Sequence, residues 1–234
     1  MPSKFDLLLE KKRYGLPQTI SVFEKIKLFF GMPVQKIIGY IEMSDVKISI
    51  KKKVLIPRYE TEELVQHAKK LITENKYTNI LDMCSGSGYI GIAIKNWNPK
   101  LKVVCVDIDR KSISQSKINA KINKVEIDII KSNLFDKIQG KFDLIISNPP
   151  YISKKSKNEI NKSVLLFEPK IALFAPDDGM FFYKEIEKKA GKYIKKNGAL
   201  LFEINQINEK YFLNRGYKNY KDINRKTRFS ILKY

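Results

Sequence analysis

A chain of 234 residues with 43% hydrophobic content has room for one α/β domain with a full core and a modest extension, and that apolar content is ordinary for a globular protein. No apolar run approaches the roughly 18 residues of a membrane span, and two cysteines, Cys84 and Cys105, with one histidine, His67, exclude a disulfide framework, a four-cysteine metal site and a multi-histidine metal site. The net charge of +20 is nearly all lysine, with six arginines in a chain rich in Ile and Asn, so it reads as solvated surface first and implies at most non-specific contact with nucleic acid.

In chain order, Met1-Pro2-Ser3-Lys4-Phe5-Asp6 lacks a signal-peptide core, which predicts the cytoplasm. Residues 1–32 are lysine-rich, and Ile20, Phe23, Ile26 and Phe30 form a helical stripe, predicting a short helical extension. Residues 33–58 turn strand-like: Ile37-Ile38-Gly39-Tyr40-Ile41 and Val46-Lys47-Ile48-Ser49-Ile50, split by Met43-Ser44-Asp45, predict a β-hairpin linker. The next helix places Glu60, Glu62 and Glu63 in its first turn and Lys69-Lys70 in its last, as the helix dipole favours, with Leu64, Val65, Ala68, Leu71 and Ile72 on one face.

Strands are then predicted at Asn79–Met83, Leu101–Asp107, Val125–Ile130, Phe142–Ser147, Ala199–Ile204, Tyr217–Lys221 and Arg228–Lys233, with helices at Ser112–Asn123 and Gly179–Lys196. Alternating elements of this kind imply a doubly wound, mostly parallel seven-stranded sheet of Rossmann-like type, with ligands at the carboxyl ends of the strands. Two candidate sites fall at that edge. The first is Asp82-Met83-Cys84-Ser85-Gly86-Ser87-Gly88 running into an apolar helix, with Asp107 ending the next strand about 25 residues beyond Asp82; glycines at such a turn admit a nucleotide-like ligand, and a strand-terminal acid at about that distance grips ribose hydroxyls. The second is Asn148-Pro149-Pro150-Tyr151. A carboxamide oxygen and a neighbouring carbonyl can accept the two hydrogens of a planar NH2 group, while prolines stiffen the turn and an aromatic ring lies against the plane. Taken singly, each pattern also has a plain reading as a tight turn or a helix cap; their order on successive strands joins them.

With those residues in place the chain resembles the class I S-adenosylmethionine-dependent methyltransferases, and more narrowly the release-factor glutamine methyltransferase family. The resemblance runs from about Pro33 to the C-terminus through Pro33–Gly39, Val54–Glu62, the Asp82–Gly88 loop, Asp107, Asn148–Tyr151, Phe167-Glu168-Pro169, Ala172-Leu173, Asp178-Gly179 and Leu201-Phe202-Glu203-Ile204. It implies a methyltransferase domain over 59–234, S-adenosyl-L-methionine as cofactor, and a class I peptide release factor as protein partner, methylated on the glutamine amide of its Gly-Gly-Gln tripeptide. Residues 84 to 88 would hold the methionine part of the cofactor, Asp107 the ribose, and Asn133 with Leu134 the adenine. Asn148, Pro149, Pro150 and Tyr151 would hold the amide, with Arg58 and Glu168 contacting the substrate loop.

The chain departs from the family pattern at Cys84, where a glycine is usual, at Tyr59, where proline is usual, at Asn133, where aspartate is common, and at Asn205, where glycine is common. Cys84 is expected to fit if its backbone keeps φ below zero. The amino-terminal region is also shorter than the family's helical domain. The alternatives are a nucleic-acid methyltransferase acting on adenine or guanine amines, which would call for extra base-reading surface, and a non-catalytic translation-associated binding module, against which the intact Asn148–Tyr151 tetrad weighs.

Overall fold

The computed structural model describes residues 2–234. It opens with α1 (Lys4–Arg13) and α2 (Val22–Phe29), each started by a capping box, Ser3 with Asp6 and Ser21 with Glu24. Lys11 joins them through a 2.7 Å ion pair with Glu24 and a hydrogen bond donated to the Thr19 carbonyl. Leu7 and Leu28 form a small core with Val34 and Ile37 of α3 (Val34–Ile38). The expected apolar stripe is only partly used. Ile20 packs here, but Phe23, Ile26 and Phe30 are 77%, 47% and 65% exposed. The apolar residues of the helix concentrate on one face, Val22, Phe23, Ile26 and Phe29, which is largely exposed, while Leu28, on another side, packs toward α1 and α3.

Ile37 and Ile38, expected to begin the hairpin, instead close α3. Pro33 sits at the N-cap position and Gly39 leaves the helix at φ 92°, so the two residues that punctuate the segment override the β-branched pair between them. The hairpin itself, β1 (Tyr40–Met43) with β2 (Val46–Ser49), turns through Ser44 and Asp45, both at positive φ, as a two-residue hairpin loop demands.

The remainder runs α4 (Tyr59–Asn75), β3 (Asn79–Met83), α5 (Tyr89–Trp97), β4 (Lys102–Asp107), α6 (Arg110–Ile122), β5 (Asp128–Lys131), β6 (Phe142–Ser147), β7 (Ile152–Ser153), α7 (Lys162–Phe167), β8 (Phe174–Ala175), α8 (Phe181–Tyr193), β9 (Ile194–Glu203), α9 (Glu209–Asn214), β10 (Lys218–Lys221) and β11 (Thr227–Lys233). Seven strands form one sheet in the order β10-β11-β9-β6-β3-β4-β5, in which β11 is antiparallel to both neighbours and the other pairings are parallel. The predicted fold class is the observed one. Val125, Glu126 and Ile127 stay outside β5, and Ile194 to Lys196, expected at the end of a helix, extend β9 instead.

The strands divide by alternate residues between two cores. Ile80, Leu144, Ile146, Ala199 and Leu201 face α4, α5 and the hairpin, while Leu81, Met83, Ile145, Leu200 and Phe202 face α8 and α9 through Tyr183, Ile186 and Phe212. His67 packs half-buried against the rings of Tyr220 and Phe229, and burial holds its pKa below the ordinary value. Two asparagines of α6 and its C-cap bind the hairpin to the sheet: the backbone N–H of Ser49 donates to Asn119 Oδ1 and that of Lys47 to Asn123 Oδ1, each at 2.9 Å. Among the described residues no helix is long and apolar enough to cross a membrane.

Helix α5 lies so close to β4 that a Cβ on Gly91 would run into Cys105 Sγ and sit 3.2 Å from Val103 Cγ1. Gly91→Ala is therefore expected to destabilise the protein by about 1–3 kcal/mol through overpacking. Urea unfolding measures this, and an unchanged midpoint would contradict the close packing.

Candidate active site

Parallel register assembles the site. Met83 of β3 pairs with Val106 of β4 and with Ser147 of β6, and Ser147 pairs with Phe202 of β9. The next residue on each strand, or just beyond it, therefore falls in one row along the carboxyl edge: Asp107, Cys84, Asn148 and Glu203. The row is stitched by Ser147, whose hydroxyl donates to the Met83 carbonyl at 2.6 Å.

On one side of Asn148 lies a cavity of about 250 Å³, lined by Cys84, Gly86, Asp107, Ile108, Asp109, Ser112, Asn133, Leu134, Phe181 and Phe182 among others. Asp107 anchors its polar wall. The N–H groups of Gly86 and Asp109 donate to its two carboxylate oxygens at 2.8 Å each, which fixes the carboxylate and leaves lone pairs for a diol. Burial raises its pKa against those hydrogen bonds. An apolar slot beside a clamped carboxylate suits a nucleoside. Cys84 and Leu134 both line it, at φ 61° and 45°, so the condition set for Cys84, φ below zero, is not met: this is the left-handed geometry for which a glycine would be the unstrained choice. The Cys84 thiol is pushed up in pKa by burial and by Asp107, and stays neutral.

Other residues expected at the cofactor lie behind the cavity wall. Asp82 is fully buried and turned under α5, where Gly91 N–H donates to its Oδ2 at 3.0 Å and Cys105 Sγ reaches the same oxygen at 3.7 Å; Oδ1 has no partner among the described residues. Ser85 and Ser87 are buried, and Gly88 is pressed against Ser116, whose Oγ would be 2.9 Å from a Cβ there. Gly88 thus serves the packing of α5 on α6. Ile108, Asp109, Phe181 and Phe182 were not foreseen at this cavity, although Asp109, two residues beyond Asp107, was a signal available in the sequence.

On the other side of Asn148 a second cavity of about 210 Å³ is lined by Leu55, Arg58, Pro149, Tyr151, Ile152, Ile160, Val164, Ala172, Leu173 and Glu203. Asn148, Leu55 and Ala172 belong to both. Pro149 is buried and Pro150 faces the first cavity. Burial, with Glu203 nearby, raises the Tyr151 phenol to about 12, so it stays neutral. The turn that carries Tyr151 is held by Gly179, at φ 93°, whose missing Cβ leaves room for the Tyr151 carbonyl. Arg58 reaches the cavity, but Glu168 is turned away from it: its buried carboxylate binds Arg58 Nη2 at 2.8 Å and accepts from Ile56 N–H at 3.3 Å. Asn205 keeps φ at −81° and caps a short turn by accepting from Ile207 N–H, so the absent glycine is not needed there.

Residues 60–170 match the family model of the Methyltransferase small domain. The chain is 40% identical to a release factor glutamine methyltransferase of Streptococcus pneumoniae over 74% of this chain and 61% of that protein, and 36% identical to one of Borreliella burgdorferi over 85% of this chain and 73% of that protein. It spans about three-fifths of the first relative's length. Among solved structures, a T. thermophilus 16S rRNA N2 G1207 methyltransferase in complex with AdoMet and guanosine aligns with a TM-score of 0.61 at 12% identity, over 83% of this chain and 49% of that one, a likeness of fold.

Asp82 generates a pH prediction. Burial raises its pKa to about 7 from an ordinary value of 3.8, so the folded state holds a proton that the unfolded state releases. The stability this contributes is complete below the unfolded value and is lost as pH rises through about 7. Relative to wild type, Asp82→Asn is therefore expected to gain stability between pH 4 and pH 7, by on the order of a few kcal/mol. Denaturation of both proteins across that range tests it, and parallel curves would contradict the assignment.

Proposed function

We propose, from the premise that this chain belongs to the release factor glutamine methyltransferase family, that it transfers a methyl group from S-adenosyl-L-methionine to the side-chain amide nitrogen of the glutamine in the Gly-Gly-Gln motif of a class I peptide release factor. The observation that carries this reading is that Asn148 lies in the wall of two cavities, one bordered by the Asp107 carboxylate and Leu134 and one by Arg58, Tyr151 and Glu203.

S-adenosylmethionine, when bound, supplies an electrophilic methyl carbon. Asp107 would hold the ribose hydroxyls, Leu134 and Phe181 would cover the adenine, Asn133 would meet its amine, and Cys84 with Gly86 would border the methionine part. An amide nitrogen is a weak nucleophile because its lone pair is delocalised into the carbonyl. The enzyme's task is then to orient the nitrogen and draw on its hydrogens. Asn148 Oδ1 and the Pro149 carbonyl would accept the two amide hydrogens, Tyr151 would lie along the amide plane, and Pro150 would fix the turn between the two cavities. Positioning of this kind supplies most of the rate gain.

The ion pair of Arg58 with Glu168 holds the linker against α7, whose Val164 lines the acceptor cavity. In this reading both residues shape the entrance for the substrate loop, Arg58 directly and Glu168 by holding Arg58.

Asn148→Ala is expected to lower methyl transfer to a release factor by at least about a hundredfold while donor affinity changes by less than about threefold. Tritiated S-adenosylmethionine incubated with the release factor, or separately with DNA or RNA, gives the turnover and the substrate class; calorimetry gives the donor affinity. Label transferred only to nucleic acid would replace the proposed substrate, and normal turnover by the variant would remove Asn148 from its role.

A further inference from the structure

Glu203 ends β9 with its side chain buried, yet no part of the proposed chemistry uses it. It lines the acceptor cavity together with Asn148, Pro149 and Tyr151. Thr61, in the first turn of α4, donates its hydroxyl to Glu203 Oε2 at 2.9 Å, and Asn148 Nδ2 donates to the same Thr61 oxygen at 3.4 Å. Among the described residues no donor reaches Glu203 Oε1 or Asn148 Oδ1. The result is a directed chain of two hydrogen bonds that ends on the one polar side chain shared by both cavities.

The direction matters more than the contact. An ionised carboxylate can only accept, so Thr61 must give it the hydroxyl hydrogen. The Thr61 oxygen then has only lone pairs to offer, and the end of the Asn148 carboxamide that faces it must be the NH2. Oδ1 is left facing the other way, free to accept a hydrogen from a substrate amide. Were Glu203 a donor, Thr61 could give its hydrogen to Asn148 Oδ1 instead, and the carboxamide would present its NH2 to the substrate, donor against donor.

We propose that Glu203, acting through Thr61, is a positioning residue that sets which end of the Asn148 carboxamide faces the substrate amide. This rests on the methyl-transfer reading above and adds to it an element that an asparagine alone does not supply. Because the directing group is titratable, the device is sensitive to pH. Burial pushes Glu203 up to about 7, opposed by the Thr61 hydrogen bond and by Arg228 and Arg58, and reinforced by Glu60; the phenols of Tyr151 and Tyr183 also face this region and stay neutral. A proton on Glu203 converts it to a possible donor, so orientation is enforced above that pH and released below it.

The test uses four near-isosteric or small changes in the full chain. Thr61→Val is expected to lower kcat for the release factor by on the order of tenfold to a hundredfold with donor affinity unchanged, and Thr61→Ser, which keeps the hydroxyl, to restore most of it. Glu203→Gln, whose amide can donate to Thr61, is expected to lower kcat above pH 7 and to abolish the acidic limb of the wild-type profile, whereas Glu203→Asp keeps an acceptor and retains a limb. A second readout needs no substrate: in the 15N spectrum of the wild-type protein the side-chain NH2 resonances of Asn148, assigned by their loss in Asn148→Ala, should shift as pH passes through about 7, and they should not do so in Glu203→Gln.

Wild-type turnover by Thr61→Val, or Asn148 resonances indifferent to pH, would overturn the proposal, even if a variant at 203 failed to fold. If the wild-type protein itself does not methylate a release factor, the substrate assignment falls, and the NMR titration still decides whether Glu203 directs Asn148.

Discussion

The register of β3, β4, β6 and β9 is the constraint from which the site follows. Four residues separated by up to about half the chain's length come into one row because Met83, Val106, Ser147 and Phe202 are hydrogen-bonded neighbours. A slip of one residue in any of these pairings would send core side chains to the opposite face, so the hydrophobic patterning that makes the sheet also aligns Asp107, Cys84, Asn148 and Glu203. The site needs no separate scaffold. Its order along the edge, carboxylate, thiol, carboxamide, carboxylate, places Asp107 at one end beside the first cavity and Glu203 at the other beside the second, with Asn148 between them.

The electrostatics of that edge run against those of the whole molecule. A chain of net charge +20 builds its cleft around the carboxyl groups of Asp107 and Glu203, with Asp82 behind the wall, all three raised in pKa by burial. Most of the lysines stay in solvent, where they cost little and steer little at physiological salt. Within the cleft the hydrogen-bond partners of Asp107 and Glu203 are backbone N–H groups and a hydroxyl, fixed dipoles that hold the carboxylates in place without a buried counter-charge.

Much of this was legible in the residues because the motifs are local. The Asn148–Tyr151 corner, the glycine loop and Asp107 each occupy a few consecutive positions after a strand, and the alternation of strands and helices orders them. What escaped was of two kinds. Local competition misled at Ile37-Ile38, where flanking Pro33 and Gly39 decide for a helical turn, and at Cys84, where a non-glycine residue accepts a left-handed backbone. Long-range pairing was hidden altogether: Thr61 meets Glu203 across 142 positions and Asn148 across 87, and no pattern in the sequence states which residues of α4 and β9 converge. Asp82 shows the same limit from the other side, since its place in the glycine loop gives no sign that it is turned under α5.

Tyr59 is the first residue of α4, the position where proline is at its most comfortable because its missing N–H would have no intrahelical partner. In place of that stiffening the chain has a phenol that donates to Glu10 of α1 at 3.1 Å, while Arg13 of α1 lies 4.5 Å from the ring centre. Backbone rigidity has been exchanged here for a tether. The helix pair, whose own core is small, is thereby leashed to the element that carries Thr61, two positions further on, and a proline at this position would stiffen the start of α4 while removing one of the ties that hold α1.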